Sequence, residues 1–116
     1  MLTDRMFVHT KVFDKLWVSL GCTDWDLSAL QKAICDAPQS PPVIRGTGGV
    51  RKIRFALEGK GKSGGARVLY GDFPEHGIVY LFAVYPKSQK EDITAEEKRL
   101  LKLSMAQIND NWRMKK

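Results

Sequence analysis

Val50-Arg51-Lys52-Ile53-Arg54-Phe55-Ala56-Leu57 alternates in character. Ile53, Phe55 and Leu57 fall on one side of an extended chain, and Lys52 and Arg54 fall on the other. That twofold period belongs to a strand with one wetted face, and it decides the fold because the period changes here. Upstream the spacing is helical. Lys11–Leu20 places Val12, Leu16 and Leu20 four apart with Phe13 and Trp17 beside them, which predicts an amphipathic helix stopped at Gly21. Thr23 opens a second helix by accepting from the Asp26 N–H. Leu27, Leu30 and Ile34 repeat along it, and Pro38 closes it. Arg5–Thr10 reads as a short strand, and Pro38–Pro42 as a stiff loop within one domain.

Downstream, Ala66–Gly71 resumes the alternation, with Ala66, Val68 and Tyr70 opposite Arg67 and Leu69. Phe73–Gly77 reads as a turn. Ile78–Tyr85 is continuously apolar and rich in β-branched and aromatic residues, as a central strand should be. Consecutive strands with short connections predict antiparallel pairing. Thr94-Ala95-Glu96-Glu97 spells a capping box, and Leu101, Met105, Ile108 and Trp112 follow at helical spacing. The expected fold is α+β, with N-terminal helices and a C-terminal helix packed on a small, mainly antiparallel β-sheet. One domain spans residues 1–116.

Charge is concentrated in one place. The chain carries 19 Lys+Arg and 13 Asp+Glu, a net +6. Between Arg45 and Arg67 lie seven basic residues and one acid, Glu58, together with seven of the ten glycines. That window accounts for the whole excess, so it points to a polyanion partner rather than to general solubility. No apolar run approaches the length of a membrane span, and the start carries no basic-then-apolar leader; both predict a cytoplasmic protein without membrane attachment. Cys22 and Cys35 have no histidine near either, which suits reduced, partly buried thiols and gives no zinc site. His9 and His76 lack partner spacing, and no metal or cofactor is expected.

Gly59-Lys60-Gly61-Lys62-Ser63-Gly64 spells GxGxxG, and Ala56–Ser63 loosely matches a phosphate loop. Such a loop must lead from a strand into a helix N-terminus, whereas Gly64-Gly65-Ala66-Arg67-Val68-Leu69-Tyr70 leads into a strand. The same lysines read better as part of a basic sheet face. If the two alternating segments pair as a hairpin, Lys52, Arg54, Lys60, Lys62 and Arg67 converge on an area about the size of a few nucleotides. Tyr70 and Tyr85, near the strand ends, are candidates to stack on a base.

Gly46–Arg54, Gly59–Tyr70, Tyr85-Pro86-Lys87 and Lys90–Glu97, in that order, closely resemble the RelE/HigB superfamily of type II toxins, and more narrowly its HigB branch, from about Val12 to Leu103. The resemblance implies a small α+β toxin that cleaves mRNA, typically in the ribosomal A site and without a metal. In that chemistry the ribose 2′-hydroxyl attacks the adjacent phosphate and leaves a 2′,3′-cyclic phosphate and a 5′-hydroxyl. It also implies an antitoxin partner, often bearing a helix-turn-helix. Carried over position by position, Lys60 and Lys62 match the loop lysines that position RNA and help activate the nucleophile. Arg67 matches the arginine at the scissile phosphate, and Lys52 and Arg54 match a backbone-binding pair. Lys87 matches a basic position that stabilises the leaving group or phosphate. Gly71 stands where relatives often carry a second aromatic, and Thr94 falls near the catalytic tyrosine of the RelE subgroup. The rival reading is a basic module that binds RNA, ribosome or antitoxin without cutting.

Overall fold

The computed structural model describes residues 4–56, 65–89 and 92–114. Strand β1 (Met6–His9) leads through Thr10 into helix α1 (Lys11–Ser19), and helix α2 (Asp24–Asp36) follows. Strands β2 (Arg51–Phe55), β3 (Ala66–Phe73) and β4 (Ile78–Pro86) come next, and helix α3 (Ala95–Arg113) ends the described chain.

Each of the three described helices starts on a threonine. The Thr10, Thr23 and Thr94 hydroxyls accept from the N–H groups of Phe13, Asp26 and Glu97, and Asp26 and Glu97 reach back to complete capping boxes. The strands lie in the order β1-β4-β3-β2. Strands β2, β3 and β4 pair antiparallel, as the short connections predict, but β1 joins β4 in parallel, with Met6 opposite Ile78. The sheet is therefore mixed. Adjacent strands are readable from connection length alone, whereas β1 reaches β4 only after both helices and two strands have intervened.

Two cores flank the sheet. On one face Phe13 and Trp17 of α1 and Leu30 and Ile34 of α2 pack on Ala66, Val68, Tyr70, Val79, Leu81 and Val84. Phe13 stacks on Trp17 at 5.3 Å, and Trp17 meets Phe55 at 5.7 Å. Val12, on the expected apolar stripe of α1, faces outward. On the other face Met105 of α3 packs with Val50, Leu69, Phe73, Phe82, Tyr85 and Ile93, flanked by Leu101 and Ile108. The Trp112 indole donates to the Tyr80 hydroxyl at 3.1 Å and fixes the far end of α3.

A bulge lets β4 serve both cores. Leu69 pairs with Ala83 but Tyr70 pairs with Leu81, so Phe82 is the extra residue. The inward phase shifts there, which is why Val84 and Leu81 face the same core. Gly71 also has a packing reason. A Cβ on it would come within 2.5 Å of Met105 Sδ and 3.2 Å of Phe73 Cε1, so the Met105 side chain fills the space that a side chain there would need. Beyond the reach of β1, whose pairing ends at Leu81, Pro86 closes β4.

Candidate active site

Strands β2 and β3 form the hairpin on which the basic residues were expected to converge. Arg54 pairs directly with Arg67, and Lys52 pairs with Leu69. Partners across an antiparallel pair share a face, so Lys52, Arg54 and Arg67 leave the sheet on the α3 side, the face that carries Leu69. Lys87 continues β4, its N–H donating to the Gly65 carbonyl at 3.2 Å. A cleft of about 430 Å³ is lined by Lys52, Arg54, Arg67, Lys87, Asp92, Pro41 and Pro42 with Ile53. Four of the six cationic site residues read from sequence thus share one hollow. The other two, Lys60 and Lys62, lie outside the described residues, as does nearly all of the glycine-rich segment around them. The described chain runs from one antiparallel strand to the next across that gap, with no helix following it.

Arg67 differs from its neighbours. Arg54 and Lys87 are exposed and Lys52 is half-buried, whereas Arg67 is only 7% exposed. Removing a guanidinium from water costs several kcal/mol unless a partner repays it. No described carboxylate lies within ion-pair distance of Arg67, and another arginine stands directly across the ladder. Like charges paired across strands destabilise a sheet. An arrangement that opposes folding in this way is characteristic of a site made for a bound anion.

The tyrosine assignments need correction. Tyr70 is 0% exposed and lies on the opposite face, in the α1–α2 core, where its hydroxyl donates to the Pro38 carbonyl at 2.7 Å. It has no ring face to offer a base. The alternation of β3 already separates Tyr70 from Arg67, and that separation outweighs its place near the strand end. Burial holds the Tyr70 phenol high, at about 12, with Arg51 opposing and Asp72 adding to the rise. Tyr85, at 8% exposed, is packed in the α3 core opposite Arg67 and also offers no stacking face. Burial pushes its phenol up, the Arg67 guanidinium pulls it back, and Asp92 and Glu97 add to the rise. Tyr85 therefore stands as a neutral phenol beside the buried arginine.

The position resembling the RelE subgroup's catalytic tyrosine is occupied by Thr94, whose hydroxyl caps α3. His9 Nδ1 lies 3.1 Å from Asp14 Oδ1, at the start of α1, and His76 sits in the β3–β4 turn against Trp112. Neither histidine lines the cleft. Among the described residues no cluster of His, Cys, Asp or Glu is suited to a metal, neither cysteine is in a disulfide, and no helix is long and apolar enough to cross a membrane. Sequence reasoning missed the proline wall of the cleft. Its signal was present in Pro41-Pro42, read there only as a stiff connection.

A family model described as the RelE toxin of the RelE / RelB toxin-antitoxin system matches residues 5–115. The chain belongs to the RelE toxin family. The match holds for the family as a whole, and the HigB branch within it rests on motif order alone. Among solved structures, the chain is similar to a mutant of E. coli toxin RelE in the free state. The TM-score is 0.55 at 17% identity, covering 86% of this chain and 96% of that one. At that identity the likeness concerns the fold, and both chains are α+β units of the same architecture. As a RelE-family toxin the protein belongs to a type II toxin-antitoxin system, which supplies an antitoxin partner.

Proposed function

We propose that the protein is an mRNA endoribonuclease that cuts message on the ribosome, without a metal, by driving the ribose 2′-hydroxyl onto the adjacent phosphate. The observation that carries this reading is the cleft in which Lys52, Arg54 and Lys87 surround the buried guanidinium of Arg67. Ammonium and guanidinium groups do not ligate metal ions, but they bind phosphate and meet the negative charge that grows on it in a phosphorane-like transition state. Shielded from water, the Arg67 guanidinium contributes more than it would on an open surface.

Arg67 contacts the non-bridging oxygens of the scissile phosphate. Lys52 and Arg54 bind flanking phosphates, and Lys87 stabilises the leaving 5′-oxygen. With no histidine in the cleft, the proton of the 2′-hydroxyl passes to a lysine, and Lys60 and Lys62 are the candidates. Crowding by other cations favours the neutral amine that such a base requires. The bond from phosphorus to the 5′-oxygen breaks as the 2′-oxygen bond forms, and the Lys87 ammonium gives that oxygen a proton, leaving a 2′,3′-cyclic phosphate and a 5′-hydroxyl. The site is neutralised by a cognate antitoxin of the helix-turn-helix kind, and the protein works in the cytoplasm.

The test is a map of transcript 5′ ends after induced expression. New 5′-hydroxyl ends should appear within translated messages, and growth should stop. Arg67→Ala combined with Lys62→Ala should abolish both. Ribosome binding with no new ends would establish the non-cutting module instead, and full toxicity of the double variant would remove the active site from this cleft.

A further inference from the structure

Arg51 belongs to the same basic run as Lys52 and Arg54, yet the alternation sends it to the opposite face. It pairs with Tyr70 on the α1–α2 side of the sheet. Its Nη1 donates to the Gln39 and Pro41 carbonyls at 2.9 and 2.7 Å. The loop it grips is tied at nearly every residue. The Tyr70 hydroxyl holds the Pro38 carbonyl, and the Lys52 N–H holds the Pro42 carbonyl at 3.1 Å. The Gln39 side chain donates to Asp72 Oδ2 at 3.2 Å, and Asp72 is itself held by Arg5 at 2.6 and 3.1 Å. Proline fixes its own φ, so a short irregular segment becomes a rigid wall. Pro41 and Pro42 present that wall to the cationic cleft.

The four cations of the cleft account for phosphate binding, and the two tyrosines are buried, so among the described residues of the cleft no aromatic ring is open to a base. Among the described residues of the cleft, apolar surface comes from this wall, with Pro41 half-buried and Pro42 exposed, and from Ile53. We infer that Pro41 and Pro42 form the platform against which a nucleobase rests beside the gripped phosphates, and that Arg51 is the positioning residue that holds this platform from the far side of the sheet. The inference rests on the reading of the cleft as an RNA site. A wall ordered before binding keeps the entropy cost of seating a base small.

The test uses binding, which needs no cutting. The probes are a 2′-O-methyl RNA trinucleotide, whose attacking hydroxyl is blocked, and the same strand lacking its bases. Wild-type protein should bind the base-bearing strand about tenfold more tightly, the scale of one base contact. Replacing both wall residues (Pro41→Ala with Pro42→Ala) should erase that preference while leaving affinity for the abasic strand unchanged. Arg51→Ala should do the same, Arg51→Lys should not restore it, and adding Arg51→Ala to the proline pair should change nothing further. Equal binding of both probes by wild type overturns the platform. Arg51→Ala weakening both probes alike overturns the positioning role, because the guanidinium would then act directly on phosphate. If the arginine variant fails to fold, the proline pair alone decides. Protein that prefers bases yet produces no 5′-hydroxyl ends refutes the nuclease and leaves the platform standing. Protein that cuts without preferring bases does the reverse.

Discussion

The two faces of β3 carry opposite designs in one short strand. Ala66, Val68 and Tyr70 point into the α1–α2 core and are completely buried among aromatic and branched side chains. Arg67, Leu69 and Gly71 point the other way, and there the strand opens from packed core under α3 into a basic hollow. The first face is built by the hydrophobic effect, and every group on it favours folding. The second places a buried guanidinium across from another arginine, which opposes folding. On the proposed function, stability and chemistry are divided across the thickness of a single backbone, and substitutions on the two faces should fail in different ways.

The largest effect falls on the packed face. Phe13→Ala removes a fully buried ring that stacks on Trp17, and denaturant titration should show a loss of about 3–5 kcal/mol. Arg67→Ala should leave the unfolding midpoint unchanged or raised, since it deletes a buried charge with no described carboxylate partner. The cleavage rate should fall by about a hundred- to a thousandfold, the usual result of losing one preorganised donor. A rate loss that merely follows a loss of folded protein would collapse the distinction between the faces.

Gly71→Ala sharpens the comparison at the point where the second face is still core. The new Cβ meets Met105, and thermal melts should show about 1–3 kcal/mol of destabilisation. Shortening Met105 to Val in the same chain should recover part of it, because the clash is with a flexible side chain.

How much of this is legible beforehand follows from the range of each interaction. The caps at Thr23 and Thr94, the helical stripes and the alternation of β2 and β3 are local, and the residues that encode them are the residues that carry them out. The same alternation brings Lys52, Arg54 and Arg67 together. Three features lie beyond local reading. The parallel docking of β1 joins segments about seventy residues apart, and nothing in Arg5–Thr10 announces its partner. The bulge at Phe82 is hidden because Ile78–Tyr85 is apolar on both faces, so a phase shift leaves no mark. The burial of Tyr70 and Tyr85 depends on what covers the sheet, and position near a strand end does not reveal that. Gly71, by contrast, becomes intelligible only once Met105 is seen above it.

Smaller effects probe the rim of the cleft and the anchor behind it. Lys52→Ala and Arg54→Ala should each weaken single-stranded RNA binding modestly. Each should flatten the salt dependence by about 0.7 in log–log slope for every phosphate it no longer neutralises, whereas Val12→Ala, on an exposed part of α1, should leave the slope unchanged. Smallest is Tyr70→Phe, which deletes the bond to the Pro38 carbonyl at a cost of about 1 kcal/mol. The folded phenol titrates at about 12, above the ordinary tyrosine value of 10.0. The neutral phenol's contribution is therefore complete below pH 10 and is lost as pH rises through about 12. Subtracting the Tyr70→Phe stability curve from that of wild type should expose this loss, and a flat difference across that window would contradict the assigned burial.

The most direct test measures two quantities on one preparation of Arg67→Gln: the rate of message cleavage on programmed ribosomes and the thermal midpoint. The division between the two faces predicts a rate at least about a hundredfold below wild type with a midpoint equal or higher. A wild-type rate would place the chemistry elsewhere. A rate that falls only together with the midpoint would make Arg67 a structural residue and the cleft a bystander.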